Sequence, residues 1–267
     1  MGSKLLTKVM LFAVLCWVGL AVGISQISTT AILPAIQVLL IFLCGWAGIV
    51  YLCLAVSYTQ AGGDNTWLFV KDIDRGSVPL WNLLLLSPYY IPLCLILWLR
   101  HRLLLDHKET PWAAITPEFY LGRYPLDVQH EFPPWTRSVV DLTAELPERG
   151  AVVAGRNYLC LPSLDCDMPN EQAMLALAAQ VASLPAEALP AYIHCANGHG
   201  RSSSLLALVL LLRGEVSHWR EAFKLMKAKR PGVNVHRNQE LMLDAMQAQI
   251  LEAAAETAGT EGAGVLS

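Results

Sequence analysis

The residues best suited to chemistry lie in one short stretch within the C-terminal half of the chain. Cys195 directly follows a short apolar run of β-forming residues, and Arg201 comes after five intervening residues. Two of those five are Gly198 and Gly200, and a run of strong helix formers starts at Leu205. A strand, a glycine loop and a helix in this order predict an anion-binding loop, because backbone N–H groups and the positive end of the helix dipole converge on one point.

A thiol in such a loop is predicted to be a nucleophile. The positive surroundings should lower the pKa of Cys195 from about 8.5 to roughly 4–7, which leaves a thiolate at neutral pH. The guanidinium of Arg201 can donate to two phosphate oxygens at once. Together they predict attack of sulfur on a phosphate monoester and later hydrolysis of the phosphocysteine. A buried cysteine beside an unrelated glycine turn is the alternative, but it gives the arginine no role.

The spacing from Cys195 to Arg201 resembles the His-Cys-x5-Arg-Ser signature of the cysteine-dependent dual-specificity and protein tyrosine phosphatase superfamily. Two flanking segments, YLGRYP at 120–125 and VVDLTAELPE at 139–148, are more weakly similar to small members of this superfamily, including phosphatidylglycerophosphate phosphatases. The resemblance covers roughly residues 116–251. It implies an α/β dual-specificity phosphatase domain, a central sheet flanked by helices. The alternation of strand-like and helix-like segments supports the same fold class.

The resemblance also implies roles for the residues of the loop. Cys195 is the implied nucleophile, Arg201 the phosphate clamp, and Ser202 a donor to the sulfur when it leaves in the second step. The implied substrate-binding residues are Ala196, Asn197, Gly198, His199, Gly200 and Arg201.

A general acid must protonate the leaving oxygen. In the superfamily it is an aspartate on a loop some 30 residues before the cysteine, and here the matching loop is LPSLDCDMP at 161–169. Asp165 is the preferred candidate because it follows the preceding strand in the family's manner. Asp167 is the alternative, although it is better placed to cap the helix that starts after Pro169.

No metal or other cofactor is expected. His194, Cys195 and His199 could be interpreted as metal ligands, but an anion-binding loop argues against a cation, and no second ligand pair stands at metal-site spacing. His194 is interpreted as a structural histidine that orients the loop.

The composition divides the chain into two parts. The 267 residues are 54% hydrophobic and 15% charged, whereas an ordinary soluble domain carries about 25% charged residues. The deficit is local, since residues 1–105 contain nine charged side chains. From Asp106 onward, 19 acidic and 13 basic residues give a net charge of −6. This acidic balance gives no indication of a nucleic-acid partner.

Residues 1–105 are predicted to be a transmembrane region with two or three spans, at about 9–24, 31–56 and 78–99. A spanning helix needs about 20 apolar residues, and all three segments approach or exceed that length. Three prolines interrupt the last one, so it is predicted either to span the membrane or to lie at its surface as a kinked helix.

The remaining boundaries follow from the change in composition. Residues 106–116 are predicted to be a linker, 117–254 the phosphatase domain, and 255–267 a disordered tail. The part from Asp106 onward is expected to be soluble and active without the membrane region.

The chain is therefore expected to be a multi-pass membrane protein whose catalytic domain faces the cytoplasm, because a catalytic thiolate needs a reducing compartment. Basic residues lie on both sides of a three-span arrangement, so the positive-inside rule nearly cancels. The alternatives are three spans with the N-terminus outside, or two spans and an interfacial third segment.

The first functional interpretation is a membrane-anchored dual-specificity phosphatase for phosphotyrosine and phosphoserine or phosphothreonine. The alternative is a lipid phosphatase acting on phosphatidylglycerophosphate or a phosphoinositide. An inactive phosphate-binding module is less favoured, because Cys195, Arg201 and an acid-loop aspartate are all present. The expected partners are the membrane and a phosphorylated protein or phospholipid, and the oligomeric state stays open.

Overall fold

A computed structural model describes residues 2–25, 33–59, 66–165 and 169–264, which form a set of N-terminal helices and a C-terminal α/β domain. Two long apolar helices come first, and a short helix, a longer helix and a π-helical turn follow after a loop. These N-terminal helices are α1 (Gly2–Ser25), α2 (Leu33–Thr59), α3 (Leu80–Leu85), α4 (Ser87–Arg100) and the π-helical turn (His101–Leu105).

The first two helices pack against each other in antiparallel directions. The ring of Phe12 lies 4.4 Å from the ring of Tyr51. Trp17 packs on Gly48, where a Cβ atom would come within 2.9 Å of the indole nitrogen. Among the described residues one helical stretch, Val38–Thr59, is long and apolar enough to cross a membrane. A region with two or three spans stays a prediction.

The third apolar segment, 78–99, is divided between α3 and α4, and the chain contacts the C-terminal domain on both sides of it. Before the segment, the carbonyl oxygen of Gly76 accepts a hydrogen bond from the N–H of Glu148 at 2.7 Å. After it, Nε2 of His101 lies 3.2 Å from the carbonyl oxygen of Ala196. Leu97 within the segment also packs in a buried cluster with Leu146 and Ala196, so the segment lies against the C-terminal domain.

The C-terminal domain is built on a five-stranded sheet. Its strands are β1 (Trp112–Ala114), β2 (Phe119–Arg123), β3 (Ser138–Asp141), β4 (Asn157–Cys160) and β5 (Ala191–Cys195). Their spatial order is β1–β2–β5–β3–β4, and only β1 runs antiparallel to its neighbour. The strand that ends at the candidate nucleophile is therefore at the centre of the sheet, as expected for a buried strand with a continuous apolar run.

Helices cover both faces of this sheet, and the α/β fold predicted for the C-terminal domain is confirmed. The helix after β5 is the most buried one, since its described side chains from Arg201 to Leu211 are all buried. The helices are α5 (Val128–Glu131), α6 (Gly150–Val153), α7 (Glu171–Ala182), α8 (Arg201–Leu212), α9 (Trp219–Lys229) and α10 (Arg237–Gly264).

Two segments differ from the boundaries expected above. Residues 112–114 of the expected linker pair with β2 as β1. The helix α10 runs through Gly264, into the segment expected to be a disordered tail. The linker is also fixed by side chains, because Asp106 forms an ion pair with the buried Arg123.

Lys71, in the loop before α3, is buried against the C-terminal domain. Its Nζ lies 2.5 Å from Oδ2 of Asp141 and donates to the carbonyl oxygens of Thr143 and Leu146 at 2.8 and 2.7 Å. The Lys71 and Asp141 side chains are both 0% exposed. Burial by itself lowers the pKa of Lys71, but the Asp141 carboxylate outweighs burial and raises that pKa above its usual value, so the ammonium persists.

Apolar packing joins the same two parts of the chain. Phe69, Leu86 and Tyr90 of the N-terminal part form one buried cluster with Ala144 and Leu164 of the C-terminal domain. These contacts oppose the expectation that the part from residue 106 onward is soluble without residues 1–105. Removal of residues 1–105 would expose the apolar surface of the C-terminal domain to water.

We therefore expect a fragment of residues 106–267 to be less stable than the full chain in mild detergent. The fragment buries the Asp141 carboxylate without Lys71, and breaking a buried ion pair costs about 3–5 kcal/mol. Thermal denaturation followed by circular dichroism should show a lower melting temperature for the fragment.

The matched control is a fragment of residues 66–267, which keeps Lys71 and the buried apolar residues Phe69, Leu86 and Tyr90. It should melt closer to the full chain than the shorter fragment does. Equal melting temperatures for the two fragments would contradict a structural role of residues 66–105.

Candidate active site

The candidate nucleophile Cys195 is the last residue of β5 and is 3% exposed. Its Sγ accepts hydrogen bonds from the N–H of Gly198 and from Oγ of Ser202, each at 3.3 Å. The loop therefore folds back over the sulfur, and α8 starts directly behind it.

The backbone of this loop requires a glycine at position 198. Gly198 has a φ of +72°, and a Cβ atom there would lie 2.2 Å from the carbonyl oxygen of Gly122. Any larger residue would collide with the backbone of β2. The glycine thus allows the loop to lie against the sheet while its N–H reaches the sulfur.

The thiolate form of Cys195 is favoured in this position. Burial raises the pKa of the thiol, but the Arg201 guanidinium and the hydrogen bonds from Ser202 oppose burial and bring the pKa below its usual value. The sulfur is therefore available as an anion at the end of the central strand.

Arg201, the first residue of α8, is 1% exposed and is held by a carboxylate. Its Nη2 and Nη1 donate to the two carboxylate oxygens of Glu145 at 2.7 and 3.0 Å. Nη1 also donates to the carbonyl oxygens of Leu142 and Ser163 at 3.1 and 2.6 Å. Its Nε has no hydrogen-bond partner among the described residues. One donor of the planar fork is therefore left for a ligand.

Asp165 lies beside this guanidinium, with Oδ1 at 3.2 Å from Nη2 of Arg201. Its side chain is 45% exposed, so it can meet a ligand from the solvent side. The backbone oxygen of Asp165 accepts a hydrogen bond from the hydroxyl of Tyr58 at 3.3 Å. The alternative Asp167 is outside the described residues, and the choice between them stays a prediction.

These groups line a cleft of about 230 Å³. Apart from Ala196 and Gly198, the predicted substrate-binding residues line it together with Cys195 and Asp165. Sequence reasoning missed the remaining lining residues, which are Arg100, Gly232, Asn234, His236 and Gln239. The buried amide nitrogen of Gln239 has no partner among the described residues.

His199, one of the predicted substrate-binding residues, contacts Glu109 of the expected linker. Its Nε2 lies 2.5 Å from Oε1 of Glu109, which also accepts from Nη2 of Arg230 at 2.9 Å. Burial raises the pKa of Glu109, but the hydrogen bond to His199 and the charge of Arg230 outweigh it and lower that pKa. An ionised carboxylate thus supports the rim of the cleft.

His194 is buried beside two carboxylates. Its Nε2 lies 2.9 Å from Oε2 of Glu148 and 4.0 Å from Oδ1 of Asp141. Donor atoms of these three residues are close enough to consider a metal ion. The ammonium of Lys71 already contacts Oδ2 of Asp141. A divalent cation bound among these three residues would be repelled by this neighbouring positive charge. This arrangement suits the structural role predicted for His194.

We expect iodoacetamide to alkylate Cys195 with a pH midpoint below about 8.5, the usual pKa of a thiol. Cys160 is the internal control, because burial and then Asp141 raise the pKa of its thiol to about 12. Peptide mass spectrometry across a pH series would separate the two thiols. Equal midpoints for both would contradict the assignment of a thiolate to Cys195, and Arg201→Ala should raise the Cys195 midpoint.

Comparison with known proteins agrees with the geometry. Residues 135–254 match the family model described as PTP-SAK, Swiss Army Knife protein, DSP-PTPase phosphatase domain. No curated protein matches the chain.

Several solved structures are similar in fold. A crystal structure of PTPMT1 in complex with PI(5)P has 20% sequence identity and a TM-score of 0.47, covering 54% of this chain and 99% of that chain. Human DUSP28 has 15% identity and a TM-score of 0.46 over 54% and 99% of the two chains. The active form of Tk-PTP has 24% identity and a TM-score of 0.47 over 52% and 97%.

The matched range includes Glu145, Asp165 and the loop from Cys195 to Arg201. Residues 135–254 therefore match a DSP-PTPase phosphatase domain, and the predicted resemblance to the cysteine-dependent dual-specificity and protein tyrosine phosphatase superfamily is confirmed.

Proposed function

We propose that the chain hydrolyses phosphate monoesters through a phosphocysteine intermediate. The observation that carries this proposal is the position of the Cys195 sulfur, which accepts from Gly198 and Ser202 inside a cleft that Arg201 and Asp165 also line. A phosphate bound there meets a nucleophile, a cation and an acid within one small volume.

In the first step the sulfur of Cys195 forms a bond to phosphorus while the bond from phosphorus to the leaving oxygen breaks. The electron pair of that bond remains on the leaving oxygen, which takes a proton from the carboxylic acid of Asp165. Arg201 and the N–H groups of the loop stabilise the non-bridging oxygens. The step yields an alcohol and a phosphocysteine.

In the second step a water molecule attacks phosphorus and gives a proton to the Asp165 carboxylate. The bond from sulfur to phosphorus breaks, its electron pair returns to Cys195, and inorganic phosphate leaves. The hydroxyl of Ser202, 3.3 Å from the sulfur, donates to the developing thiolate and makes the sulfur a better leaving group.

Asp165→Asn should lower kcat on phosphopeptides by about 10²–10⁴-fold, the usual contribution of a positioned acid. The loss should be smaller with an aryl phosphate whose leaving group needs little protonation, and the basic limb of the pH–rate profile should flatten. Steady-state kinetics on both substrates would measure these effects.

Asp167→Asn is the matched control and should chiefly lower the melting temperature, while Cys195→Ser sets the level of zero turnover. The acid is Asp167 if the two asparagine variants exchange these behaviours. Turnover that survives in Cys195→Ser would exclude a phosphocysteine altogether.

We further propose that the protein is anchored in a membrane through α1 and α2, with the third apolar segment on the same side as the C-terminal domain. Gly76 before that segment and His101 after it both contact the domain, which supports this arrangement. The 14 residues of α4 reach only about 21 Å at 1.5 Å per residue, less than the roughly 30 Å of a bilayer core.

An arrangement of two spans and a surface segment also resolves the orientation, which the basic residues leave open for three spans. The basic residues near the N-terminus, in the loop before α3 and after α4 then all lie on one side of the membrane. The positive-inside rule assigns that side to the cytoplasm. This proposal agrees with the reducing environment that a catalytic thiolate needs.

The surface around the cleft favours a membrane phospholipid as the substrate over the phosphoprotein of the first interpretation. Arg100 lines the cleft and lies at the end of α4. The exposed fraction is 61% for Ile96, 61% for Leu103 and 54% for Leu104. Exposed apolar side chains next to basic ones are typical of a helix that lies on a lipid surface.

We expect faster phosphate release from phosphatidylglycerophosphate or phosphoinositides in anionic vesicles than from phosphopeptides. Leu103→Asn combined with Leu104→Asn should reduce the vesicle rate by about 10-fold or more, since each leucine removed from an apolar contact costs about 1.5–3 kcal/mol. The rate on a soluble aryl phosphate should not change.

Leu251→Asn, an exposed leucine on α10, is the matched control and should leave both rates unchanged. Faster release from phosphopeptides would support the dual-specificity protein phosphatase instead. Equal loss on the vesicles and on the aryl phosphate would show damage to the catalytic centre rather than to a lipid-facing surface.

A further inference from the structure

A buried charged group from outside the family domain contacts the segment that holds Arg201. The match covers residues 135–254, whereas Lys71 lies in the loop before α3. Its side chain is 0% exposed. Its ammonium donates to Asp141, the last residue of β3, and to Thr143 and Leu146 in the segment that follows β3. A lysine buried this completely is rare unless it is paired.

The acceptors of Lys71 bracket the carboxylate that holds the catalytic arginine. Nζ donates to the carbonyl oxygen of Thr143, two residues before Glu145, and to that of Leu146, one residue after it. Between these two points Glu145 binds Arg201 through both of its oxygens. We name residues 142–148 the clamp loop, since their contacts fix the guanidinium.

Backbone hydrogen bonds to His194 and Ser163 and the hydroxyl of Tyr124 hold parts of the clamp loop, and the loop before α3 supplies further partners. The clamp loop is a connection without regular secondary structure, so its carbonyl groups need partners from elsewhere. Asp141, the residue just before the clamp loop, accepts from Lys71 and from the N–H and hydroxyl of Thr143. At its other end the N–H of Glu148 donates to Gly76, again from the loop before α3.

We propose that Lys71 is a positioning residue for Arg201: it fixes the clamp loop, and through Glu145 it sets where the guanidinium meets the phosphate. The inference rests on the proposed phosphatase function. Lys71 acts only through its contacts with the clamp loop, because it does not line the cleft.

Through this contact the N-terminal part of the chain influences the position of Arg201, in addition to its proposed role as a membrane anchor. A displacement of the loop before α3 would release Lys71 and Gly76 together and loosen the clamp loop. Because energetic coupling between two sites is reciprocal, an oxyanion that orders Arg201 would also strengthen the contact of that loop with the domain.

The test compares Lys71→Met with Lys229→Met in the full-length chain in detergent. Lys229 is an exposed control that also donates to backbone carbonyl oxygens, those of Ala114 and Ile115 at 2.8 and 3.0 Å, away from the clamp loop. The measurements are kcat/KM on an aryl phosphate, the inhibition constant of orthovanadate, and the melting temperature of each variant.

We expect Lys71→Met to lower kcat/KM and to raise the vanadate inhibition constant by about 10- to 100-fold, because a small misplacement of a catalytic group has effects of that size. Lys229→Met should leave both constants unchanged. Adding Glu145→Gln to Lys71→Met should cause little further loss, since residues that act through one network are not additive.

A merely structural role predicts something different. Lys71→Met would then lower the melting temperature while the folded protein keeps the vanadate affinity and kcat/KM of the wild type, and that result would overturn the inference. Additive losses from Lys71→Met and Glu145→Gln would overturn it as well.

Where Lys71→Met fails to fold, Thr143→Val takes its place. Valine keeps the shape of threonine but removes the hydroxyl that lies 3.1 Å from Nζ of Lys71 and donates to Asp141. Unchanged vanadate inhibition in this variant would reject the role of the clamp loop. The proposed function fails separately, if the wild-type chain itself releases no phosphate from any of the substrates.

Discussion

A thiolate at a buried position is the constraint on which the rest of this structure depends. A buried anion is unstable unless a cation lies near it, and for Cys195 that cation is Arg201, which is itself 1% exposed. The arginine in turn needs a buried carboxylate, supplied by Glu145. Each charge is stabilised by the next, and this series continues across the clamp loop to Lys71 and Asp141. The breaking of any one pair would leave an uncompensated charge in the interior.

The parts of the fold that the sequence predicts are those set by local pattern. The strand before Cys195, the glycine loop and the helix after it follow from residues adjacent in sequence, and so does the superfamily. The strand at 112–114 was not predicted, because its three residues carry no pattern of their own and become a strand by pairing with β2. A short edge strand of this kind depends on its neighbour more than on its sequence.

The residues that sequence reasoning missed have partners far away along the chain. Glu145 lies in a segment already recognised as family-like, but its partner is 56 residues away. Lys71 is separated from Asp141 by 70 residues, and a lysine in a loop between apolar segments is ordinarily solvated. Neither periodicity nor spacing encodes such a contact, because it depends on how the two parts of the chain dock.

The docking also limits which way the cleft can face. Polar contacts from three residues that precede β1, Lys71, His101 and Glu109, meet the C-terminal domain at the clamp loop or at the loop after β5. Buried hydrogen bonds are directional, so several of them together specify one orientation. Under the proposed anchoring through α1 and α2, the height of the cleft above the bilayer would be fixed by side-chain contacts and not by the length of a flexible tether. The reach of such a site is short, which favours phosphate groups held at the membrane surface over those on distant soluble proteins.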